Sequence, residues 1–259
     1  MCWVSGPCTA FAVPGAAWLL AFLAVFSQAQ AAEVGVAVAS NFMAPMQKIA
    51  QAFEQDTGHK AILSFGSTGS FYAQIKNGAP FQVLLAADTQ TPLRLEKEGL
   101  GVAGSRVTYA TGKLVLWSRQ PGLVDGQGDI LRSGRFERMA LANPKLAPYG
   151  AAAVEVLSQL GVLKDIQPKL VQGENIAQTY QFIATGNAQL GFVALSQVLV
   201  DGKITQGSGW PVPPGLHAPI LQDAVLLTQG RNNPAAPALL AYLQGAKARA
   251  LIRSFGYGP

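Results

Sequence analysis

VGVAVASNFMAPMQKIAQAFEQDTGHKAILSFGSTGS, residues 34–70, is the stretch that decides the fold. Val34 to Val38 is a run of apolar and small residues, the pattern of a strand buried on both faces. Phe42, Met46, Ile49 and Phe53 then recur at helical spacing, so the next element is a helix with one apolar face. Asp56-Thr57-Gly58 stops that helix, and Ala61 to Phe65 reads as a second strand. Gly66 to Ser70 (GSTGS) is a turn opening a short helix through Ile75, which Asn77-Gly78 ends. Strands alternating with amphipathic helices predict an α/β protein with largely parallel sheets.

The same alternation runs outward from this stretch. Val83 to Ala86 reads as a strand, with a helix beginning near Pro92. Val107 to Ala110 and Leu114 to Trp117 read as strands able to run between two lobes. Met139 to Ala142 is a strand, and Pro148-Tyr149-Gly150 leads into a helix whose Ala153, Val156, Leu157 and Leu160 share a face. Lys169 to Val171 is a strand, Gly173-Glu174-Asn175 a turn, and Ile176, Tyr180 and Ile183 mark another helix. Leu190 to Val193 is a further strand. A Pro-rich stretch, Trp210 to Pro219, separates this middle block from a strand at Ala224 to Leu227 and two closing helices, Ala238 to Gln244 and Ala246 to Phe255. No internal repeat or low-complexity tract interrupts the pattern.

With 259 residues, 49% of them hydrophobic and 13% charged, the chain has ample material for a folded core. Its formal charge of +5 is spread along the sequence without a basic run, which argues against a nucleic-acid partner. Ala16 to Phe26 is an uninterrupted apolar run followed by SQAQAA, where Ala29 and Ala31 make an A-x-A cleavage site. Residues 1–31 are therefore expected to be a signal peptide cut after Ala31, although no Lys or Arg precedes the apolar run; an amino-terminal membrane anchor is the competing reading. Both cysteines, Cys2 and Cys8, fall inside that segment, so the mature protein is expected to contain no disulfide, thiolate metal site or cysteine nucleophile. Neither His59 nor His217 has a second ligand type at metal-binding spacing, and His59, in a turn, is expected to be solvated.

Four strand-to-helix junctions are rich in small or hydroxyl residues: Ala39-Ser40-Asn41, Gly66 to Ser70, Pro148-Tyr149-Gly150 and Gly173 to Ile176. Each presents free backbone N–H groups at a helix start, a geometry suited to anions. In open α/β sheets such junctions lie at the carboxyl ends of strands, where ligands bind. Taken singly, each is an ordinary helix cap or turn; their recurrence, two in the first block and two in the middle block, points to a site between lobes. Catalytic motifs are missing: there is no G-x-S-x-G, H-E-x-x-H or G-x-x-x-x-G-K. Asp88 reads as a cap for the helix after Thr89, and Glu96 and Glu98, two apart, read as solvated.

With those junctions in place, the chain resembles the periplasmic molybdate-binding proteins of ABC importers across essentially its whole mature length. The matching pieces are VAVASN from Val36, FGSTGS from Phe65, GAPFQVLLAAD from Gly78, ANP from Ala142, APYG from Ala147, GEN from Gly173 and GFVALSQ from Gly191, in that order. The resemblance implies a type II periplasmic-binding fold, two α/β lobes joined by a hinge around a ligand cleft, closing by domain rotation. It places lobe one at residues 32–110 and 220–259 and lobe two at 111–219. It further implies a periplasmic, monomeric binding protein, not an enzyme, without cofactor, that hands molybdate or tungstate to an ABC permease. Another oxyanion such as sulfate, or a secreted hydrolase, are the alternatives. Carried over by position, the oxyanion donors are Ser40 and Asn41, Ser67 and Thr68, Tyr149 and Ile176, the last through its backbone N–H alone, and none is a ligand to a metal cation. Some relatives have a tyrosine hydroxyl at the position of Ala194, so the Tyr149 hydroxyl is expected to stand in for it.

Overall fold

The computed structural model describes residues 1–6 and 31–258, and the chain divides into two compact units, 1–30 and 31–259. Residues 1–6 carry no secondary structure. The expected signal-peptide core, residues 16–26, and Cys8 lie outside the described residues.

The second unit opens with β1 (Glu33–Ala39), a 3₁₀ turn (Ser40–Phe42), α1 (Met43–Thr57), β2 (Lys60–Gly66), α2 (Thr68–Lys76), β3 (Val83–Leu85) and α3 (Gln90–Lys97). Val34, Val36 and Val38 of β1 are fully buried, as expected of a strand flanked on both sides. Met46, Ile49 and Phe53 bury one face of α1. Gly58 ends that helix in the left-handed conformation (φ 74°), its N–H reaching Glu54 O at 2.9 Å. There follow β4 (Val107–Gly112), β5 (Leu114–Ser118), α4 (Ile130–Ser133), β6 (Met139–Ala142), α5 (Pro148–Gln159), α6 (Leu163–Ile166), β7 (Leu170–Gly173), α7 (Ile176–Ala184) and β8 (Leu190–Ala194). A small hairpin of β9 (Leu199–Val200) and β10 (Lys203–Ile204) precedes β11 (Ser208–Pro211), β12 (Ile220–Leu226), α8 (Ala235–Gln244) and α9 (Ala246–Ser254).

Two five-stranded mixed sheets result, in the orders β2-β1-β3-β12-β4 and β11-β5-β8-β6-β7. Each has a parallel trio, β2-β1-β3 and β8-β6-β7, completed by antiparallel strands, so the expectation of largely parallel sheets holds only for those trios. The chain passes from one sheet to the other between β4 and β5 and returns between β11 and β12. β4 and β5 thus belong to different sheets, joined by a short crossing at Lys113 that carries the chain between lobes. β4 pairs with β12 through a register shift at Gln222/Asp223: Gln222 lies opposite Ala110 but Asp223 opposite Thr108, which leaves Tyr109 as the extra residue of a bulge.

Three sequence expectations need correction. The Pro-rich stretch contains the end of a strand: Ser208–Pro211 pairs with β5 as an edge, where a missing proline N–H is tolerated. His59 is buried (8% exposed), because the strand after the turn carries it under Ala32, whose N–H donates to its Nδ1 at 3.2 Å. Glu96 is mostly covered, its carboxylate 3.7 Å from Arg106, which also pairs with the buried Asp223 at 2.8 Å.

Candidate functional site

The four junctions named from sequence converge. Ser40, Asn41, Ser67, Thr68, Tyr149 and Ile176 line one cavity of about 10 Å³, together with Ala39, Gly66, Ala87, Ala147 and Pro148. Pockets for drug-sized ligands run to roughly 300–1,000 Å³, and this one is far smaller. No lining residue carries a charge.

Each helix start leaves an amide for the cavity. At α7 the cap Asn175 accepts through Oδ1 from Ala177 N and Gln178 N, both at 3.0 Å, which bypasses Ile176 at the first helical position. At α5 the first position is Pro148, which has no N–H, and Gly150 N turns back to Ala147 O at 2.9 Å. The Tyr149 amide lies between them, in the turn where no helical carbonyl is in reach. At α2 the cap Ser67 accepts from Ser70 N at 3.3 Å, and Gly69 N crosses to Leu146 O of lobe two at 2.9 Å. Thr68, first in that helix, is again left over. Together these N-termini direct partial positive charge at one point.

The side chains divide into those with a proton to give and those already engaged. Thr68 Oγ1 accepts from Ala87 N at 3.0 Å and Ser67 Oγ from Ser70 N, which leaves both hydroxyl protons uncommitted. Ser40 Oγ donates across the cleft to Asn175 Oδ1 at 3.3 Å, the longest of three bonds to an oxygen with two lone pairs, so this proton is easily redirected. Asn41 is different. Both protons of its amide are used, toward Gln222 Oε1 at 2.9 Å and Tyr257 Oη at 3.0 Å, so only its backbone N–H remains.

The Tyr149 hydroxyl accepts from Gln222 Nε2 at 3.1 Å and abuts Gly112, where a Cβ would collide with it. Neither Gln222 nor Gly112 lines the cavity. Tyr149 thus turns its ring end toward the hinge and its amide end toward the cavity. Ala194 is buried and does not line the cavity; its N–H donates to Gln197 Oε1 at 2.9 Å.

Burial pushes the Tyr149 and Tyr109 hydroxyls well above the usual tyrosine pKa and holds Tyr257 at about 12, so all three stay neutral near pH 7. An outer pocket adjoins the cavity through Ala87, Ala147 and Pro148 and is lined in addition by Asp88, Lys145 and Glu155. Asp88 does cap α3, accepting from Thr91 N at 2.7 Å; burial, the larger effect, raises its carboxyl pKa against those hydrogen bonds. Among the described residues no group of histidine, cysteine and carboxylate side chains is placed to hold a metal ion.

Sequence reasoning missed the residues behind the cavity: Tyr109, Ser196, Gln222 and Tyr257, all buried. Ser196 Oγ donates to Asn41 O at 2.9 Å from lobe two, and Tyr257 Oη to the same carbonyl at 2.7 Å. A signal was present for Gln222, a lone amide inside the otherwise apolar first half of ILQDAVL.

Comparison with known proteins identifies the family. The family model for bacterial extracellular solute-binding proteins matches residues 34–258. A molybdate-binding protein ModA of Azotobacter vinelandii is 64% identical over 230 residues, covering 89% of this chain and 91% of that one. One of Rhodobacter capsulatus is 49% identical over 243 residues, covering 94% and 95%. The solved structure of an Azotobacter vinelandii periplasmic molybdate-binding protein superposes with a TM-score of 0.85 at 41% identity, over 87% of this chain and 99% of that one.

Proposed function

The chain belongs to the bacterial extracellular solute-binding proteins, and we propose that it captures molybdate between its lobes and delivers it to an ABC transporter. It is a binding protein of the periplasm and not an enzyme. The observation that carries the reading is the cavity itself: four helix starts meet at a small, uncharged, donor-lined space. Burying a dianion there would be prohibitive without full hydrogen bonding, which amides of Asn41, Thr68, Tyr149 and Ile176 and hydroxyls of Ser40, Ser67 and Thr68 provide. A wall made of donors also rejects hydrogen phosphate, whose O–H would find no acceptor. Between molybdate, tungstate and sulfate, size decides, and we assign tungstate as a second solute.

Three further parts belong to the same proposal. Residues 1–31 act as a signal peptide, the mature protein is a monomer, and the lobes comprise 32–110 with 220–259 and 111–219. Melting the protein with molybdate, tungstate, sulfate and phosphate tests the reading. At a hundredfold excess over Kd, binding adds about 2.7 kcal/mol, which in a chain of this size raises Tm by roughly 5–10 °C. Molybdate and tungstate should give that shift and phosphate none; no shift with molybdate would end the proposal.

A further inference from the structure

We propose that Gln222 is a positioning residue of the binding site: its single amide holds Asn41 of lobe one and Tyr149 of lobe two from behind the cavity, aligning their backbone N–H groups when the lobes dock. The inference rests on the solute-binding reading above.

Gln222 is fully buried on β12, the strand that returns the chain from lobe two to lobe one. Its Oε1 accepts from Asn41 Nδ2 and from Tyr109 Oη, both at 2.9 Å, and its Nε2 donates to Tyr149 Oη at 3.1 Å. An amide alone offers acceptor and donor at the two ends of one rigid plane, and each end here holds a different lobe. The surroundings are built for it. The bulge at Tyr109 brings that hydroxyl onto the same oxygen, and such bulges serve to re-aim side chains beside functional sites. Glycine at 112 leaves room for the Tyr149 hydroxyl. Tyr257 Oη closes the network, accepting from Asn41 Nδ2 at 3.0 Å while contacting Ser196 Oγ of lobe two at 3.0 Å. On this account the Tyr149 hydroxyl supports docking of the lobes and the solute meets only its amide.

Gln222→Glu tests the idea through pH. The groups around the introduced carboxyl are Tyr109 on β4, Tyr149 on α5 and Tyr257 in the carboxy-terminal segment, with Asp88 and Asp223 beyond Tyr109 and Arg106 paired to Asp223. Burial raises the pKa of such a carboxyl, so it changes form within a workable pH range. Protonated, it donates to Tyr149 and accepts from Asn41 as the amide does; ionised, it cannot donate and adds a buried negative charge near the anion. Calorimetric titration with molybdate from pH 6 to 9 should show a flat wild-type profile. The variant should bind roughly tenfold or more weakly at pH 9 and recover toward wild type at pH 6, with the loss in the dissociation rate. Equal affinity and equal profiles would overturn the proposal.

If Gln222→Glu does not fold, as near-ultraviolet circular dichroism would reveal, Tyr149→Phe carries the test. It should weaken molybdate and tungstate by the same factor, since the lost bond lies behind the cavity. A loss confined to one anion, or no loss, overturns the proposal. Wild-type protein that binds no oxyanion would instead overturn the solute-binding reading, which keeps the two failures apart.

Discussion

Ser67 and Thr68 are adjacent at the start of α2, yet their hydroxyl oxygens have different duties. Ser67 Oγ caps the helix through a 3.3 Å bond, whereas Thr68 Oγ1 satisfies the buried Ala87 N–H at 3.0 Å. Each also has a proton to offer the cavity. Ser67→Ala should therefore weaken molybdate binding by roughly tenfold to a hundredfold, the worth of a hydrogen bond to a charged acceptor, with only a small fall in the Tm of the ligand-free protein. Thr68→Val should weaken binding as much and also destabilise the ligand-free protein by about 1–3 kcal/mol, because Ala87 N–H is stranded. Calorimetry and melts of both variants separate the two effects, and wild-type affinity in Ser67→Ala would remove its hydroxyl from the donor set. A pair of hydroxyls is legible in FGSTGS, but which oxygen is engaged and which proton is left depends on Ala87, nineteen residues away.

At the level of elements, α2 and the loop before α5 meet in direct backbone contact between the lobes. Gly69 N donates to Leu146 O at 2.9 Å, and a Cβ at Gly69 would stand 3.0 Å from Leu146 Cα and 3.2 Å from its carbonyl oxygen. Gly69→Ala improves helix propensity inside α2 while obstructing its docking on lobe two. The expected result is an unchanged or slightly raised Tm of the ligand-free protein together with a loss of about 1–3 kcal/mol in binding, roughly five- to hundredfold, seen as faster molybdate release in stopped flow. Affinity equal to wild type would mean the lobes bind solute without this contact. The α3 cap is independent of the cleft chemistry: Asp88→Ala removes the 2.7 Å bond from Thr91 N and should lower Tm by roughly 2–4 °C for about 1 kcal/mol.

For the whole molecule, donors from both sheets must meet around one ion, so solute binding should be coupled to docking of the lobes. Small-angle scattering is expected to give a smaller radius of gyration with saturating molybdate than without it; identical profiles at saturation would indicate a rigid, preformed site. The buried tyrosines add a dependence on pH. Tyr109 and Tyr149 lie well above the ordinary value of 10 and Tyr257 at about 12, so the folded state resists their ionisation while the unfolded chain does not. A raised folded pKa means stability fully present below about pH 10 and lost as pH rises through the folded values. Melts should therefore fall in Tm above about pH 10 beyond what their plateau from pH 7 to 9 suggests.

Periodicity alone determined the alternation of β1, α1, β2 and α2, because apolar spacing of two or 3.6 residues is a local property that burial must respect. The four helix starts were legible for the same reason: small and hydroxyl residues at a strand-to-helix junction are a local requirement of capping. What only the tertiary structure decided is how polar atoms are shared. His59 is buried because Ala32, just ahead of β1, donates to it, and Glu96 is covered because Arg106, just ahead of β4, reaches it. Asn41 looks in sequence like an amide donor to an anion, yet Gln222 and Tyr257, 181 and 216 residues away, use both its protons. Hydrogen-bond satisfaction in a buried network depends on which distant side chains arrive, and no local pattern encodes that arrival.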